Sequence, residues 1–215
     1  QAAGTPYKDI LSLVQKLVDL ELTKGVEGGG LKNTVKLELA MAAWKSNQYG
    51  PALFFLDEVL SEGSRFEKAS ANNILGLIAL KEKRYMSAKS YWDAALKEDP
   101  TFPPTLINYG ILMTKFGFFK KALDFLSKVD KDWLAISGLI VVKRNLGDGG
   151  YATKKCKMLL KNRIKHKLNL YNCGVNALRT QKNKVKARKL IGEALQIPGG
   201  ESHWDEDAYK LLESI

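Results

Sequence analysis

Apolar residues fall at helical spacing along almost the whole chain, in stretches of 12 to 16 residues separated by very short polar turns. From Leu31 onward this pattern predicts helix pairs at 31–46 and 49–61, 69–82 and 85–97, 103–115 and 118–129, 131–146 and 149–162, and 167–180 and 184–196. The breaks carry suitable turn chemistry in Asn47-Gln48, Glu98-Asp99-Pro100, Gly147-Asp148-Gly149-Gly150 and Pro198-Gly199-Gly200. No segment alternates with a period of two for long enough to read as a sheet. Ahead of the pairs, Tyr7 to Lys24 reads as a helix apolar over more than one stripe, followed by the break Gly28-Gly29-Gly30. A last amphipathic helix spans about Trp204 to Ser214. The expected organisation is therefore an N-terminal helix and linker (1–30), a repeat array (31–200) and a C-terminal capping helix (201–215).

Small residues keep time through the array. Ala52, Ala88, Ala122, Ala152 and Ala187 follow one another at steps of 36, 34, 30 and 35, and Gly76, Gly110, Gly138 and Gly174 keep a similar interval. Where two helices cross closely, only Gly or Ala lets their ridges interlock, and a large neighbour fills the space beside them. A period near 34 built from two helices marks a repeat that buries its core by stacking on its neighbours.

The residues at these positions resemble the tetratricopeptide repeat. Ala69–Phe102 carries Leu75-Gly76 in its first helix, Ala88, Trp92 and Ala95 in its second, and Pro100 near its close. Pro103–Ile136 repeats the pattern with Tyr109-Gly110, Ala122, Leu126 and Val129, and Lys167–Gly200 with Cys173-Gly174, Ala177, Ala187, Ile191 and Ala194. Asn33–Phe66 fits through Leu39-Ala40, Ala43, Ala52 and Leu56, while Lys131–Lys165 keeps Gly138 and Ala152 with altered spacing. The resemblance implies an all-α fold: a right-handed superhelical array of about five helix–turn–helix repeats, with extra helices at both ends.

In tetratricopeptide arrays the first helix of each pair lines a concave groove. Carried over, this places Leu37, Met41, Trp44, Leu77, Leu80, Ile107, Ile111, Leu139, Val142, Tyr171, Val175 and Leu178 toward a groove, edged by Lys45, Lys81, Lys115, Lys143 and Arg179. An apolar groove with a basic edge suits an amphipathic helix or extended peptide with acidic flanks. The competing reading packs the apolar residues inside the solenoid and assigns the lysines to helix C-terminal dipoles. Residues 7–24 are an internal candidate for the same groove. Some family members grip a partner's terminal carboxylate with paired Lys and Asn. Asn73, Asn108 and Asn172 lie in the right region, but Leu37, Met41, Ile107 and Ile111 occupy the lysine positions, which disfavours that mode.

Charge divides the chain. Residues 1–107 carry 13 basic and 13 acidic residues, and residues 108–215 carry 21 and 10, so the second half holds the whole net charge of +11. The densest run contains Lys154, Lys155, Lys157, Lys161, Arg163, Lys165, Lys182, Lys184, Lys186, Arg188 and Lys189, spread by helical spacing over an outer face and the turns. An anionic polymer, a membrane surface or an acidic protein is the partner this asymmetry suggests. Nucleic acid is disfavoured by the shortage of interleaved aromatics and of arginine. The acidic end, Glu201 to Glu213, could instead fold back and neutralise part of the run.

Chemistry finds little foothold. His166 and His203 have no carboxylate or cysteine at triad or metal-ligand spacing, and no phosphate-cradling glycine loop occurs, so neither catalysis, a metal nor a cofactor is expected. Cys156 and Cys173 occupy core positions on consecutive helices and are expected to be buried free thiols, with a disulfide between them as the alternative. The longest apolar run, Trp133 to Val142, is 10 residues and too short for a membrane span. The start at Gln1 reads as a trimmed or processed chain, with a periplasmic or envelope setting favoured and the cytoplasm as alternative. The expected function is a non-enzymatic scaffold or adaptor holding a peptide of another protein in a multi-protein assembly, as in envelope machines for motility, pilus assembly or secretion. The alternative is a module binding an anionic surface through the lysine face.

Overall fold

The computed structural model describes residues 31–162, 166–198 and 202–215. Among them are eleven α-helices and no strand. They are α1 (Asn33–Lys45), α2 (Tyr49–Glu62), α3 (Arg65–Lys81), α4 (Tyr85–Glu98), α5 (Pro103–Lys115), α6 (Phe119–Leu126), α7 (Trp133–Asn145), α8 (Gly149–Lys161), α9 (Lys167–Arg179), α10 (Lys184–Gln196) and α11 (Ser202–Glu213). A 3₁₀ turn, Ser127–Val129, extends α6. The first ten pair as the sequence pattern predicts. The expected helix at 7–24 lies outside the described residues.

One boundary moves for a visible reason. Helix α3 starts at Arg65 rather than near residue 69 because Ser64 and Glu67 form a capping box. The Glu67 N–H donates to Ser64 Oγ at 3.4 Å, and the Ser64 N–H donates to Glu67 Oε2 at 2.8 Å. These hydrogen bonds from Ser64 also hold the Glu67 carboxyl below its usual range. Asp132, Asp148, His166 and Asn183 cap α7, α8, α9 and α10 through side-chain acceptors.

The turn inside each pair has one left-handed residue: Asn47 (φ 61°), Lys83 (φ 59°), Gly117 (φ 77°), Gly147 (φ 92°) and Lys182 (φ 55°). Each lies five residues before the repeat alanine, so the turn and the core position share one register. In the first four turns the next N–H reaches back to close the helix: Gln48 to the Ala43 carbonyl, Arg84 to Ala79, Phe118 to Met113 and Asp148 to Lys143. That is a Schellman closure, and the helix reverses within three residues. The fifth turn is one residue longer, with the Asn183 N–H donating to the Ala177 carbonyl.

The chain divides into two compact units within α5, between Thr105 and Leu106. In the first unit, α1, α2 and α3 enclose a core of Ala40, Ala52, Leu56, Val59, Ile74 and Ile78, with Leu37, Met41 and Trp44 packed on its margin. Trp92 of α4 is fully buried, and its indole lies where a Cβ on Gly76 would sit. Its Nε1 donates to the Asn73 carbonyl at 3.3 Å. In the second unit a Cβ on Gly110 would lie 2.5 Å from Leu126, one on Gly138 2.8 Å from the same side chain, and one on Gly174 2.6 Å from Ile191. All five repeat alanines are fully buried. The recurring small residues are therefore the sites of closest helix approach, as their spacing predicted.

The cysteines correct an expectation. Cys156 and Cys173 are joined in a disulfide, with Cα atoms 5.5 Å apart, rather than being free thiols. They lie in a core with Ile136, Ile140, Leu159, Leu170 and Leu190. Helix α11 packs against α10, and its Ala208 is buried.

Candidate functional site

The first helices carry the residues the sequence assigned to a groove, and each unit presents its own share. In the first unit Leu37, Met41 and Trp44 on α1 and Leu77 and Leu80 on α3 are half-buried, so part of each apolar side chain faces solvent. The Trp44 Nε1 is buried with no hydrogen-bond acceptor. In the second unit Ile111, Tyr171 and Leu178 are half-buried, whereas Ile107, Leu139, Val142 and Val175 are buried in the repeat core. Usable apolar surface thus comes mainly from Leu37, Met41, Trp44, Leu77 and Leu80 on one unit, and from Ile111, Tyr171 and Leu178 on the other.

The basic edge is uneven. Lys81 donates to Asn47 Oδ1 at 2.5 Å and lies 6.0 Å from the centre of the Tyr49 ring, so it ties the end of α3 to the preceding turn. Lys143 lies 3.9 Å from Asp148 Oδ2 and 5.5 Å from the Tyr151 ring centre. Lys45, Lys115 and Arg179 are exposed. Next to Lys143 in the chain is a group that the sequence pattern missed, Arg144. It is half-buried at the end of α7, and its Nη1 donates to the Asn172 carbonyl at 3.4 Å. Its Nε is buried without an acceptor. Burial, and then the neighbouring Arg179 charge, lower its pKa to about 10. Tyr171 lies within reach of the same charges, and burial pushes its phenol up, followed by Asp207 of α11.

Two of the three asparagines weighed for a carboxylate clamp, Asn73 and Asn172, serve the interior. Asn73 accepts from Thr105 Oγ1 at 3.2 Å, and the Asn172 amide donates to Ser137 Oγ at 3.0 Å and to the Ser137 carbonyl at 3.3 Å. Each joins one first helix to the next across about one repeat. Buried amides satisfied in this way fix the register of successive pairs.

The lysine face is solvent-exposed at Lys154, Lys157 and Lys161 on α8 and at Lys182, Lys184, Arg188 and Lys189 around α10. Lys155 and Lys186 are half-buried. Lys155 lies over the Tyr151 ring at 5.5 Å, and Lys186 donates to Gln181 at 3.4 Å. Arg163 and Lys165 lie outside the described residues. Among the described residues no ion pair joins this face to α11, whose Glu206 pairs with its own Lys210 at 3.8 Å. The described residues contain no group of three metal-ligating side chains, and none of their helices is long and apolar enough to cross a membrane. His166 accepts from the Leu168 N–H through Nδ1 at 3.3 Å, and its ring lies 4.6 Å from that of Trp133. It caps a helix.

Paired antiparallel helices with a shared small-residue register are also what comparison with solved structures finds. The chain is similar to PilW, described as a widely conserved type IV pilus biogenesis factor, at 15% identity over 80% of this chain and 81% of that one, with a TM-score of 0.64. It is similar to a tetratricopeptide repeat protein from Parabacteroides merdae, at 18% identity over 98% and 80%, with a TM-score of 0.60. A third likeness, to a chain of the APC/C hetero-tetramer Cut9-Hcn1, has 17% identity and a TM-score of 0.69, covering 96% of this chain and 40% of that one. The fold is a tetratricopeptide-like helical repeat. No protein-family model matches the chain, and no curated protein matches it in sequence. Identities this low carry the fold and leave the binding residues to be argued from the chain itself.

Proposed function

We propose that this chain is a non-enzymatic scaffold that holds a helical or extended peptide segment of another protein on its first-helix faces, within a multi-protein assembly. The observation that carries the reading is the set of half-exposed apolar side chains on first helices: Leu37, Met41, Trp44, Leu77 and Leu80 in the first unit and, separately, Ile111, Tyr171 and Leu178 in the second. Apolar positions along a shallow face are what an amphipathic segment needs in order to bury its own stripe. The repeat fold supports this use, and so does the similarity to a pilus biogenesis factor and to a chain of a hetero-tetrameric assembly. The Cys156–Cys173 disulfide favours an oxidising compartment, which fits an envelope setting. The test is substitution of Leu77 and Ile111 by Asp, with folding checked by circular dichroism. The variant is expected to lose peptide binding; binding retained by the folded variant overturns the reading.

A second reading rests on the exposed lysines of α8 and α10: attachment to an anionic polymer or membrane surface. Salt separates the two. Capture through apolar contacts persists at high ionic strength, whereas attachment through diffuse charge falls steeply.

A further inference from the structure

The second unit holds a cation that its described residues engage only weakly. Arg144 has five guanidinium donors, and a single 3.4 Å hydrogen bond, to the Asn172 carbonyl, engages them. Its Nε is buried and faces no acceptor, and among the described residues no carboxylate forms an ion pair with it or with Arg179. Taking a guanidinium partly out of water is costly, and among the described residues one long hydrogen bond and no counter-charge offset that cost. Both arginines lie in the last turns of first helices, α7 and α9, and their charges oppose each other across that face. Tyr171 and Leu178 supply half-buried apolar surface on the same helix as Arg179. Asp207, on α11, is exposed and within electrostatic reach of Tyr171, yet it pairs with neither arginine.

We propose that Arg144 and Arg179 form a binding site for the carboxylate of an Asp or Glu side chain on the peptide that occupies the first-helix face. The proposal rests on the peptide-binding reading above and gives it a charge requirement at one place. A carboxylate can accept from the accessible Nη donors of Arg144, and from Nε as well once the half-buried guanidinium turns outward to meet it, which supplies the missing counter-charge. Arg179, more exposed, adds attraction without having to be buried. The adjoining apolar residues set the spacing, so the partner carries an acidic residue next to an apolar stripe. The site differs from a terminal-carboxylate clamp, because Asn172, which such a clamp would recruit, is engaged with Ser137.

A random peptide library displayed on phage and panned against the purified, oxidised chain tests this. Selected peptides are expected to combine apolar residues with an Asp or Glu at fixed spacing. Arg144→Gln, and Glu→Gln within the selected peptide, should each weaken binding about tenfold. The two losses should not add. Amidating the peptide's C-terminus should change nothing. The Arg144→Gln chain should melt no lower than the parent, because a buried unpaired charge has been removed, whereas a purely structural arginine would lower its Tm. Asp207→Asn should strengthen binding of the acidic peptide slightly.

Peptides that are apolar and indifferent to acid overturn this site while leaving the groove reading intact. Acid preference that survives Arg144→Gln and Arg179→Gln but disappears with Lys154→Gln and Lys157→Gln assigns binding to the lysine face and overturns both. A requirement for a free C-terminus overturns the side-chain assignment. A library that yields no apolar enrichment removes the groove reading, and this site with it.

Discussion

The two units are built from the same repeat but treat charge in opposite ways. In the first, Lys36 is buried between Glu58 and Glu62 at 3.1 and 3.8 Å, Arg84 pairs with Glu82 at 2.5 Å, and Arg65 lies 3.9 Å from Glu98. These three cations are answered inside the unit. In the second, Lys143 has Asp148, but Arg144, Arg179 and the exposed lysines of α8 and α10 have no acidic partner among the described residues. The core differs too: the first unit buries Trp92 against Gly76, whereas the second contains a disulfide. Identical packing geometry therefore places no constraint on what the outer and inner faces carry. In the first unit the described ion pairs engage a buried lysine and two arginines, whereas in the second the two arginines at the ends of first helices have none.

That contrast can be attacked at several strengths. The largest effect is expected from Trp92→Ala, which empties the space beside Gly76 and should cost about 3–5 kcal/mol in a denaturant titration. Opening the Cys156–Cys173 bond by Cys→Ser substitution at both positions should cost about 3 kcal/mol, given a sequence separation of 17. Hydrogen exchange should place that loss in α8 and α9, with α1 to α3 unaffected. Exchange that quickens equally in both units would show that the two are not distinct in stability. Ser64→Ala, which removes the α3 capping box, should cost about 1 kcal/mol.

The smallest effects concern single turns. Lys83→Gly should stabilise the chain by up to about 1 kcal/mol, because its backbone is left-handed at φ 59°. His166 gives the second unit a pH response. Burial lowers its pKa from the ordinary 6.5, so the unfolded chain takes up the proton first as pH falls. The contribution is fully present above about pH 6.5 and is lost as pH falls through the lower folded-state value. Protonation also removes Nδ1 as acceptor for the Leu168 N–H. His166→Asn, a cap that does not titrate, should flatten the decline in Tm between pH 7 and pH 5.

Much of this architecture was legible because the repeat positions obey one steric rule. Ala52, Ala88, Ala122, Ala152 and Ala187 are buried, and the glycines face Trp92, Leu126 and Ile191. A helix crossing leaves its mark on sequence as a small residue, and periodicity makes the mark readable. The disulfide was readable in principle: Cys156 lies five residues before the end of α8 and Cys173 six after the start of α9, and positions at such matched distances from a turn come close in an antiparallel pair. Their apolar surroundings pointed instead to inert thiols. Arg144 escaped because the repeat alignment placed its neighbour Lys143 at the groove edge. A helix face turns by 100° per residue, so one step separates an edge lysine from a half-buried guanidinium. Burial of individual groove positions was also hidden, since Val142 and Leu139 satisfy the same spacing as Leu77 but lie deeper.

The central claim is that partner peptides lie on the first helices, and methyl chemical-shift mapping by NMR tests it most directly. Titration with a library-selected peptide should shift the methyls of Leu77, Leu80, Ile111 and Leu178, and leave the exposed methyls of Leu53 on α2 and Val185 on α10 unmoved. Shifts confined to Leu53 and Val185, with the first-helix methyls silent, would contradict the account.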